Sequence, residues 1–318
     1  MNISVKAPGS LMIFGEHSVI HGETAIVAAI DQYIEVSVAE NNQQQLCITS
    51  DRFPSYTAPM HALSHNKPYT FIIDAVKKYR PYLTHGLNVA VKSDFSPQIG
   101  IGSSAAVVSC ILGALMRITK GTIAKSALFA EGLSIIRKQH PLASGSDLAA
   151  SIHGNVIHFD PNNHHSKTLA KDLPLVVVYS GSKALTHDCV AMVNARFANN
   201  PDGLKRICYV AGRITEEAAG DIVRGDYRSL GGWMNVFDAL IYKSFDLQTP
   251  VLCNILRVLR TATVIYGAKI SGAGMGDCVV AVCTDPAQYA FPLSASDARR
   301  NIRQLALRVS NLGTTEII

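Results

Sequence analysis

The feature that most limits how this chain can fold is a run of glycine and serine between a predicted strand and a predicted helix. The run, residues 96–106, follows an alternating apolar segment at 87–92 and leads into an apolar segment with helical spacing at 105–118. Glycine lets the backbone approach a ligand closely, and the first N–H groups of a helix have no partner within it. The run therefore predicts a loop that binds an anion, most commonly phosphate.

Two other interpretations of this loop stay open on the sequence alone. Gly100, Gly102 and Ala105 fit the dinucleotide-binding pattern G-x-G-x-x-G/A, but the acidic residue expected about twenty positions later is missing from residues 122–126. Small residues also begin helices against a crowded sheet without binding a ligand. The pattern G-x-x-x-x-G-K-[ST] is absent, so a nucleotide here would be held in a different way.

Composition narrows the class of protein. The 318 residues are enough for two medium-sized domains, and the net charge of +5 is spread along the chain without a basic block. Seven scattered cysteines without a C-x-x-C motif favour reduced thiols. The longest apolar run is too short to span a bilayer, and no secretory signal pattern is present. We therefore expect a cytoplasmic protein that binds neither nucleic acid nor membrane, and whose mild positive charge suits an anionic substrate.

Apolar periodicity predicts the remaining elements. Strands are expected at residues 3–7, 24–30, 33–39, 155–159, 173–179, 279–283 and 314–318. Helices are expected at 69–79, 123–138, 188–198, 204–223, 227–242, 250–266 and 296–309, the last with Ser296 as its N-cap. The polar segment 160–173 predicts a boundary between two domains, residues 1–165 and 166–318.

Candidate functional residues also occur at three places outside the loop. Glu16 and His17 lie between two glycines, Asp147 follows the predicted N-cap Ser146 of a short helix, and residues 268–278 form a second glycine loop. Each place also has an interpretation without a ligand. Glu16 and His17 could form a surface turn, Asp147 could be an acid favoured by the helix dipole, and residues 268–278 could form a hairpin. Two glycine loops, one in each half, nevertheless predict a ligand bound between two domains.

These segments, in this order, resemble the GHMP kinases, the family named after galactokinase, homoserine kinase, mevalonate kinase and phosphomevalonate kinase. Residues 7–22 are similar to the first motif, A-P-G-K-x-x-[IL]-x-G-E-H-x-V-x-x-G, residues 101–105 to the second, G-L-G-S-S-A, and residues 269–278 to the third. The end of the first motif looks most like mevalonate kinases. Ser10 stands where that motif usually has lysine, and Gln98 where the second motif usually begins with glycine.

The resemblance implies an α+β fold of two domains. The N-terminal domain would be like ribosomal protein S5 domain 2 and the C-terminal one ferredoxin-like. It also implies a kinase that uses ATP and Mg²⁺ to phosphorylate the 5-hydroxyl of mevalonate, giving 5-phosphomevalonate for isoprenoid precursor synthesis. A homodimer is one oligomeric state that we keep open.

The resemblance also assigns roles to residues. Asp147 would accept or orient the proton of the hydroxyl, and Lys183, with Lys6 as a second candidate, would supply the charge missing at Ser10. The phosphates would be held by Gly100, Gly102, Ser103, Ser104 and Ala105. Mg²⁺ would be bound by Ser104 and Glu131. The substrate site would include Glu16, His17, Gly272 and Ala273.

Two alternatives to this function remain. Within the family, the substrate could be another small alcohol: the 3-hydroxyl of mevalonate, phosphomevalonate, homoserine or a sugar. From a different class, the chain could be a ligand-binding regulator that keeps the fold without catalysis. Turnover of ATP with any alcohol would exclude the regulator.

Overall fold

Alternating apolar side chains along the first forty residues produce two long strands at the centre of the larger sheet. The computed structural model describes residues 2–317, and in it β1 (Asn2–Phe14) pairs antiparallel with β2 (Ala25–Asn41). The predicted break between residues 30 and 33 is wrong, because β2 runs through it. Pro8 pairs with Tyr33 and Gly9 with Ile30, so Asp31 and Gln32 form a bulge inside a single strand.

Within residues 2–317, the first sheet contains eight strands. Its order is β12-β1-β2-β5-β3-β4, with β6 paired to β2 and β7 to β6. The further strands are β3 (Gln45–Ser50), β4 (Tyr56–Pro59), β5 (Gly86–Ser93), β6 (Val156–Asp160), β7 (His165–Ala170) and β12 (Thr315–Ile317). The pairing of β3 with β5 is parallel and the other pairings are antiparallel.

Four helices accompany this sheet: α1 (Thr70–Tyr79), α2 (Ser103–Lys120), α3 (Lys125–Gln139) and α4 (Ser146–His153). Helix α2 packs on β1 and β2, and it is flanked by the other three helices. It is long and apolar enough to cross a membrane by length and composition, but 61% of it is buried inside the protein. We therefore interpret α2 as a core helix.

The second sheet has four antiparallel strands in the order β11-β8-β10-β9. They are β8 (Leu175–Tyr179), β9 (Ile265–Ser271), β10 (Cys278–Cys283) and β11 (Arg303–Leu305). The helices of this half are α5 (Thr186–Arg196), α6 (Pro201–Arg224), α7 (Tyr227–Asp238), α8 (Pro250–Thr261) and α9 (Ala295–Arg299). Helices α7 and α8 pack on β9. The predicted α+β class with two units is confirmed.

Three local predictions are wrong. The helix expected at 296–309 stops at Arg299 and is capped by Ser294 rather than Ser296, because the following residues pair with the edge of β8 as β11. The helix expected at 250–266 ends at Thr261, since the next residues enter β9. Ser146 is not the N-cap of α4; that position is Gly145, with φ of 94°.

The first sheet contains strands that follow the predicted domain boundary in the sequence. The boundary predicted between residues 165 and 166 falls at the start of β7, which pairs with β6 of the first sheet. Strand β12, near the other end of the chain, returns to pair with β1. The first sheet therefore includes residues from both predicted domains. The terminal positions 1 and 318 of those domains lie outside the described residues.

Candidate functional site

The first glycine loop presents backbone donors that the rest of the protein does not use. Within residues 2–317, no acceptor is found for the N–H groups of residues 100–105. Gly100 has φ of 80° and Gly102, the N-cap of α2, has φ of 69°. Both values favour glycine. The five residues predicted to hold phosphate lie in this one segment, whose unpaired donors and helix N-terminus suit an anion.

Strand β1 connects this loop to Asp147. The backbone N–H of Ser10 donates to the carbonyl oxygen of Ile101 over 3.2 Å, and the hydroxyl of Ser10 donates to Oδ1 of Asp147 over 2.7 Å. A Cβ atom on Gly102 would lie 1.9 Å from the hydroxyl oxygen of Ser10. The loop, β1 and the first turn of α4 therefore meet at one position, and only glycine fits at residue 102.

Asp147 carries a half-buried carboxylate in the first turn of α4. Burial raises its pKa above the ordinary value, and the hydrogen bond from Ser10 acts in the opposite direction. Among residues 2–317, no lysine, arginine or histidine forms an ion pair with it. A neutral hydroxyl thus stands where the family motif supplies a lysine.

The structure does not bring either candidate lysine into contact with Asp147. The ammonium of Lys183 donates to the carbonyl oxygen of Pro97 over 2.6 Å, at the start of the glycine loop. The ammonium of Lys6 lies 5.2 Å from the centroid of the Tyr33 ring. Lys183 is therefore close to the predicted phosphate site but is engaged with the loop itself.

Glu131, the predicted acidic partner of Mg²⁺, is not near Ser104. Its carboxylate pairs with Lys120 at 3.3 Å and with Lys78 at 3.9 Å. Lys120 is the last residue of α2 and Ser104 is in its first turn, so the two are about 24 Å apart along the helix axis at 1.5 Å per residue. The structure therefore contradicts a metal site shared by Glu131 and Ser104.

Glu16 forms an ion pair across the two halves of the protein. Its carboxylate accepts a hydrogen bond from the ammonium of Lys269 on β9, and both side chains are buried. The ammonium also lies within 6 Å of the centroids of three aromatic rings, those of Phe14, Phe237 and Tyr242. Burial raises the pKa of Glu16 and lowers that of Lys269, and each partner opposes the shift of the other.

The other predicted substrate residues contact one another. Nε2 of His17 is 2.9 Å from the carbonyl oxygen of Ala273. Because a carbonyl only accepts, His17 carries its proton on Nε2, and burial lowers its pKa to about 4, so the ring is neutral near pH 7. The hydroxyl of Tyr242 donates to the carbonyl oxygen of Gly272 over 2.7 Å. The contact of His17 fixes the second glycine loop against the first motif, and that of Tyr242 fixes it against the second half of the protein.

An unexpected acid of the second glycine loop, Asp277, lies close to Gly100 of the first. Asp277 is buried, and within the described part of the chain its Oδ1 atom has no hydrogen-bond partner. A Cβ on Gly100 would come within 2.5 Å of that oxygen. Burial raises the pKa of Asp277 to about 7, against the influence of Lys183. The carboxyl group of Asp277 therefore has a pKa near neutral pH beside the first glycine loop.

Sequence reasoning missed the roles of Ser10, Lys269 and Asp277. Ser10 was identified only as a departure from the motif, and its contact with Asp147 spans 137 positions. Lys269 gave a signal, since it is a charged residue within an otherwise apolar segment that becomes the buried strand β9. Asp277 gave a weaker signal as an acid at a motif position that is often glycine.

Family models match both halves of the chain. The model of the GHMP kinases N terminal domain matches residues 69–155, and the model of the GHMP kinases C terminal domain matches residues 218–291. A protein named mevalonate kinase from Thermococcus onnurineus is 28% identical over 308 residues, which cover 90% of each chain.

Solved structures share the fold. The crystal structure of L. major mevalonate kinase in complex with R-mevalonate has a TM-score of 0.73 and 26% identity, covering 96% of this chain and 94% of that one. The Lactococcus lactis galactokinase complexed with galactose has a TM-score of 0.82 but 16% identity, covering 99% and 95%. The second similarity concerns the fold alone.

Proposed function

The chain belongs to the GHMP kinase family and is a small-molecule kinase, and on that premise we propose that it transfers the γ-phosphoryl group of ATP to the 5-hydroxyl of mevalonate. The product would be 5-phosphomevalonate, an intermediate in isoprenoid precursor synthesis. The mevalonate kinases among the similar proteins support this choice of alcohol. The free cysteines accord with the predicted cytoplasmic location.

One observation carries the proposal: the candidate base lies beside the phosphate cradle. Ser10 is packed against Gly102 of the cradle and is hydrogen-bonded to Asp147 over 2.7 Å. A phosphoryl group on the N–H groups of residues 100–105 would be adjacent to an alcohol bound at Asp147. Phosphoryl transfer asks the protein mainly for this positioning and for stabilisation of charge.

Each part of the site has a distinct task in this proposal. Asp147 accepts or orients the proton of the attacking hydroxyl, and its raised pKa makes it a better base than an exposed aspartate. The N–H groups of the loop stabilise the charge on the phosphates. Lys183 adds a positive charge at the loop. His17 and Ala273, held together by their hydrogen bond, form a wall of the substrate site. Glu16 and Gly272 belong to the same site and are held by Lys269 and Tyr242, respectively.

The residues at the cradle also fit Mg²⁺, which would be the metal partner of ATP. Residues 2–317 contain no cluster of three or more His, Cys, Asp or Glu side chains able to hold a metal, but Mg²⁺ typically needs only one or two protein ligands besides phosphates and water. In the described chain the hydroxyl of Ser104 has no partner, and Asp147 is a carboxylate close to the cradle. Bound there, Mg²⁺ would neutralise charge on the phosphates.

The test is a measurement of ADP release by the purified protein with Mg²⁺, ATP and R-mevalonate, followed by NMR of the product. Phosphorus–proton coupling to the C5 methylene identifies the 5-phosphate and separates it from a 3-phosphate. Reactions without alcohol measure background ATP hydrolysis.

A panel of phosphomevalonate, homoserine and galactose separates the remaining alternatives. Faster turnover of any of these than of mevalonate would replace the proposed substrate. Absence of turnover with every alcohol, in a protein that still binds ATP, would instead support the regulator.

A further inference from the structure

Side chains of the second half of the protein donate hydrogen bonds to backbone carbonyl oxygens of the first glycine loop. Three successive carbonyls accept hydrogen bonds from side chains of the second half. That of Pro97 accepts from Lys183 over 2.6 Å, that of Gln98 from Tyr179 over 3.2 Å, and that of Ile99 from Cys278 over 3.5 Å. The last is a weak bond because its donor is a thiol. The segment immediately before the cradle is thus fixed from one side.

The backbone that carries the donors is hydrogen-bonded to the rest of the second half. Tyr179 is the last residue of β8, a central strand that pairs with β10 and β11, and its backbone lies opposite Cys278 and Arg303. The guanidinium of Arg303 lies 5.7 Å from the centroid of the Tyr179 ring. The turn that carries Lys183 is tied to the second glycine loop, since Asp277 donates to Ser182 and accepts from Ser180 through backbone atoms.

Two of the donors, Tyr179 and Cys278, keep their protons near neutral pH. Burial raises the pKa of the Tyr179 hydroxyl, and burial raises the pKa of the Cys278 thiol well above its usual range. Both groups therefore remain donors under physiological conditions. Because a carbonyl oxygen only accepts, the direction of all three hydrogen bonds is fixed.

We propose that Tyr179 and Lys183 are positioning residues for the nucleotide, which act by holding the carbonyl oxygens of residues 97–99. With these carbonyls turned toward the second sheet, the following N–H groups, those of residues 100–105, stay free for the phosphates. This inference rests on the proposed function, since it takes ATP as the ligand. It makes the shape of the cradle depend on the contact between the two halves.

Tyr179 is the informative residue for a test. The ammonium of Lys183 is a cation at the loop and could act on phosphate directly, whereas the hydroxyl of Tyr179 is neutral and contacts Gln98. Tyr179→Phe removes only that hydroxyl. Tyr289→Phe is a matched control, because in the described chain the hydroxyl of Tyr289 is buried without a partner.

Two measurements decide the proposal. The first is the dissociation constant of Mg·ATP, together with KM for ATP and for the alcohol. We expect Tyr179→Phe to weaken ATP binding about 2- to 10-fold, the effect of one neutral hydrogen bond, with KM for the alcohol unchanged. Lys183→Met should weaken it more, and Lys183→Arg should recover part of the loss. The second, without nucleotide, is hydrogen exchange of the Ile99 amide, which donates to the carbonyl oxygen of Ser96 over 3.2 Å; this exchange should be faster in Tyr179→Phe than in Tyr289→Phe.

The outcomes separate this inference from the proposed function. If Tyr179→Phe matches Tyr289→Phe in both measurements while the wild type turns over, the positioning role is wrong and the kinase activity stands. An effect of Lys183→Met alone would assign Lys183 to the phosphates and also overturn the inference. A wild-type protein that binds no ATP would overturn both proposals, whatever the rate of hydrogen exchange in the first glycine loop.

Discussion

Two carboxylates near the first motif are held in opposite ways. Glu16, two residues after β1, is buried between the two halves and paired with the buried ammonium of Lys269. Asp147 is half-buried, and its partner is the neutral hydroxyl of Ser10. Both carboxylates lose water, and burial raises the pKa of both. Only Glu16 receives a compensating charge.

The difference in partners predicts a structural role for Glu16 and a chemical role for Asp147. A buried ion pair is costly to break, because removing one partner leaves the other charge without compensation in a medium of low dielectric constant. The Glu16–Lys269 pair therefore fixes how the halves meet. An uncompensated carboxylate that substrate can reach is free to take a proton, which suits a catalytic base. The comparison predicts that changes at Asp147 affect rate, and that changes at Lys269 affect stability.

The largest effect is expected for Asp147→Asn. Loss of the base should lower kcat by about 10²- to 10⁴-fold, with the dissociation constant of ATP nearly unchanged because the cradle is intact. Asp202→Asn is a matched control, since Asp202 also lies in the first turn of a helix but is exposed. Steady-state kinetics and calorimetry provide the measurements. Near-wild-type turnover of Asp147→Asn would remove the distinction between the two carboxylates.

Lys269→Met should instead destabilise the protein. The variant leaves the buried Glu16 without a cation, a loss of about 3–5 kcal/mol in the free energy of unfolding. Lys167→Met, at an exposed lysine on β7, is the control and should change little. Urea denaturation measures both, and the double variant Glu16→Gln/Lys269→Met should recover part of the loss because no uncompensated charge remains.

This loss should depend on pH with a definite sign. Without Lys269 the folded-state pKa of Glu16 rises further above its unfolded value, so the folded state binds the extra proton. Stability then falls as pH rises from the unfolded pKa through the raised folded one. We expect Lys269→Met to be closer to the wild type at pH 5 than at pH 8. A deficit independent of pH would argue against an uncompensated Glu16.

The smallest effect is expected for Ser10→Ala, and it concerns the pH profile. The hydrogen bond from Ser10 lowers the pKa of Asp147, so its removal raises that pKa. The acidic limb of the kcat/KM profile, below which Asp147 is protonated and inactive, should therefore move to higher pH, while the rate above it changes little. An unmoved acidic limb would show that Ser10 does not set the charge of Asp147.

Ser10→Lys tests the contact between Ser10 and Asp147 by introducing the lysine that the family motif usually has there. Ser10 is fully buried and in contact with Gly102, so a lysine has no space there. We expect a less stable protein with no gain in turnover. An accelerated enzyme would mean that the site lacks a cation and can accommodate one.

Local signals were sufficient for much of the fold. The glycine run before α2, the apolar periodicity of α1 and α3, and the strands β5 and β8 follow from backbone freedom and side-chain alternation, which act within a few residues. The same signals failed at residues 296–309, where helical periodicity was overridden by pairing of Arg303–Leu305 with β8. The edge of a sheet offers hydrogen bonds that a local pattern does not contain.

The sequence by itself determined the family motifs and the position of the glycine loop predicted to bind phosphate, because both depend on residue types at short spacing; the resemblance to the family then implied Asp147 as the candidate base. Only the tertiary structure decided the partners. In the folded protein Asp147 accepts a hydrogen bond from Ser10, and Glu16 pairs with Lys269 of β9. Glu131 pairs with Lys120 at the C-terminal end of α2, far from Ser104. Charges in a protein interact through space across a low-dielectric interior, so their partners depend on packing, which sequence spacing does not report.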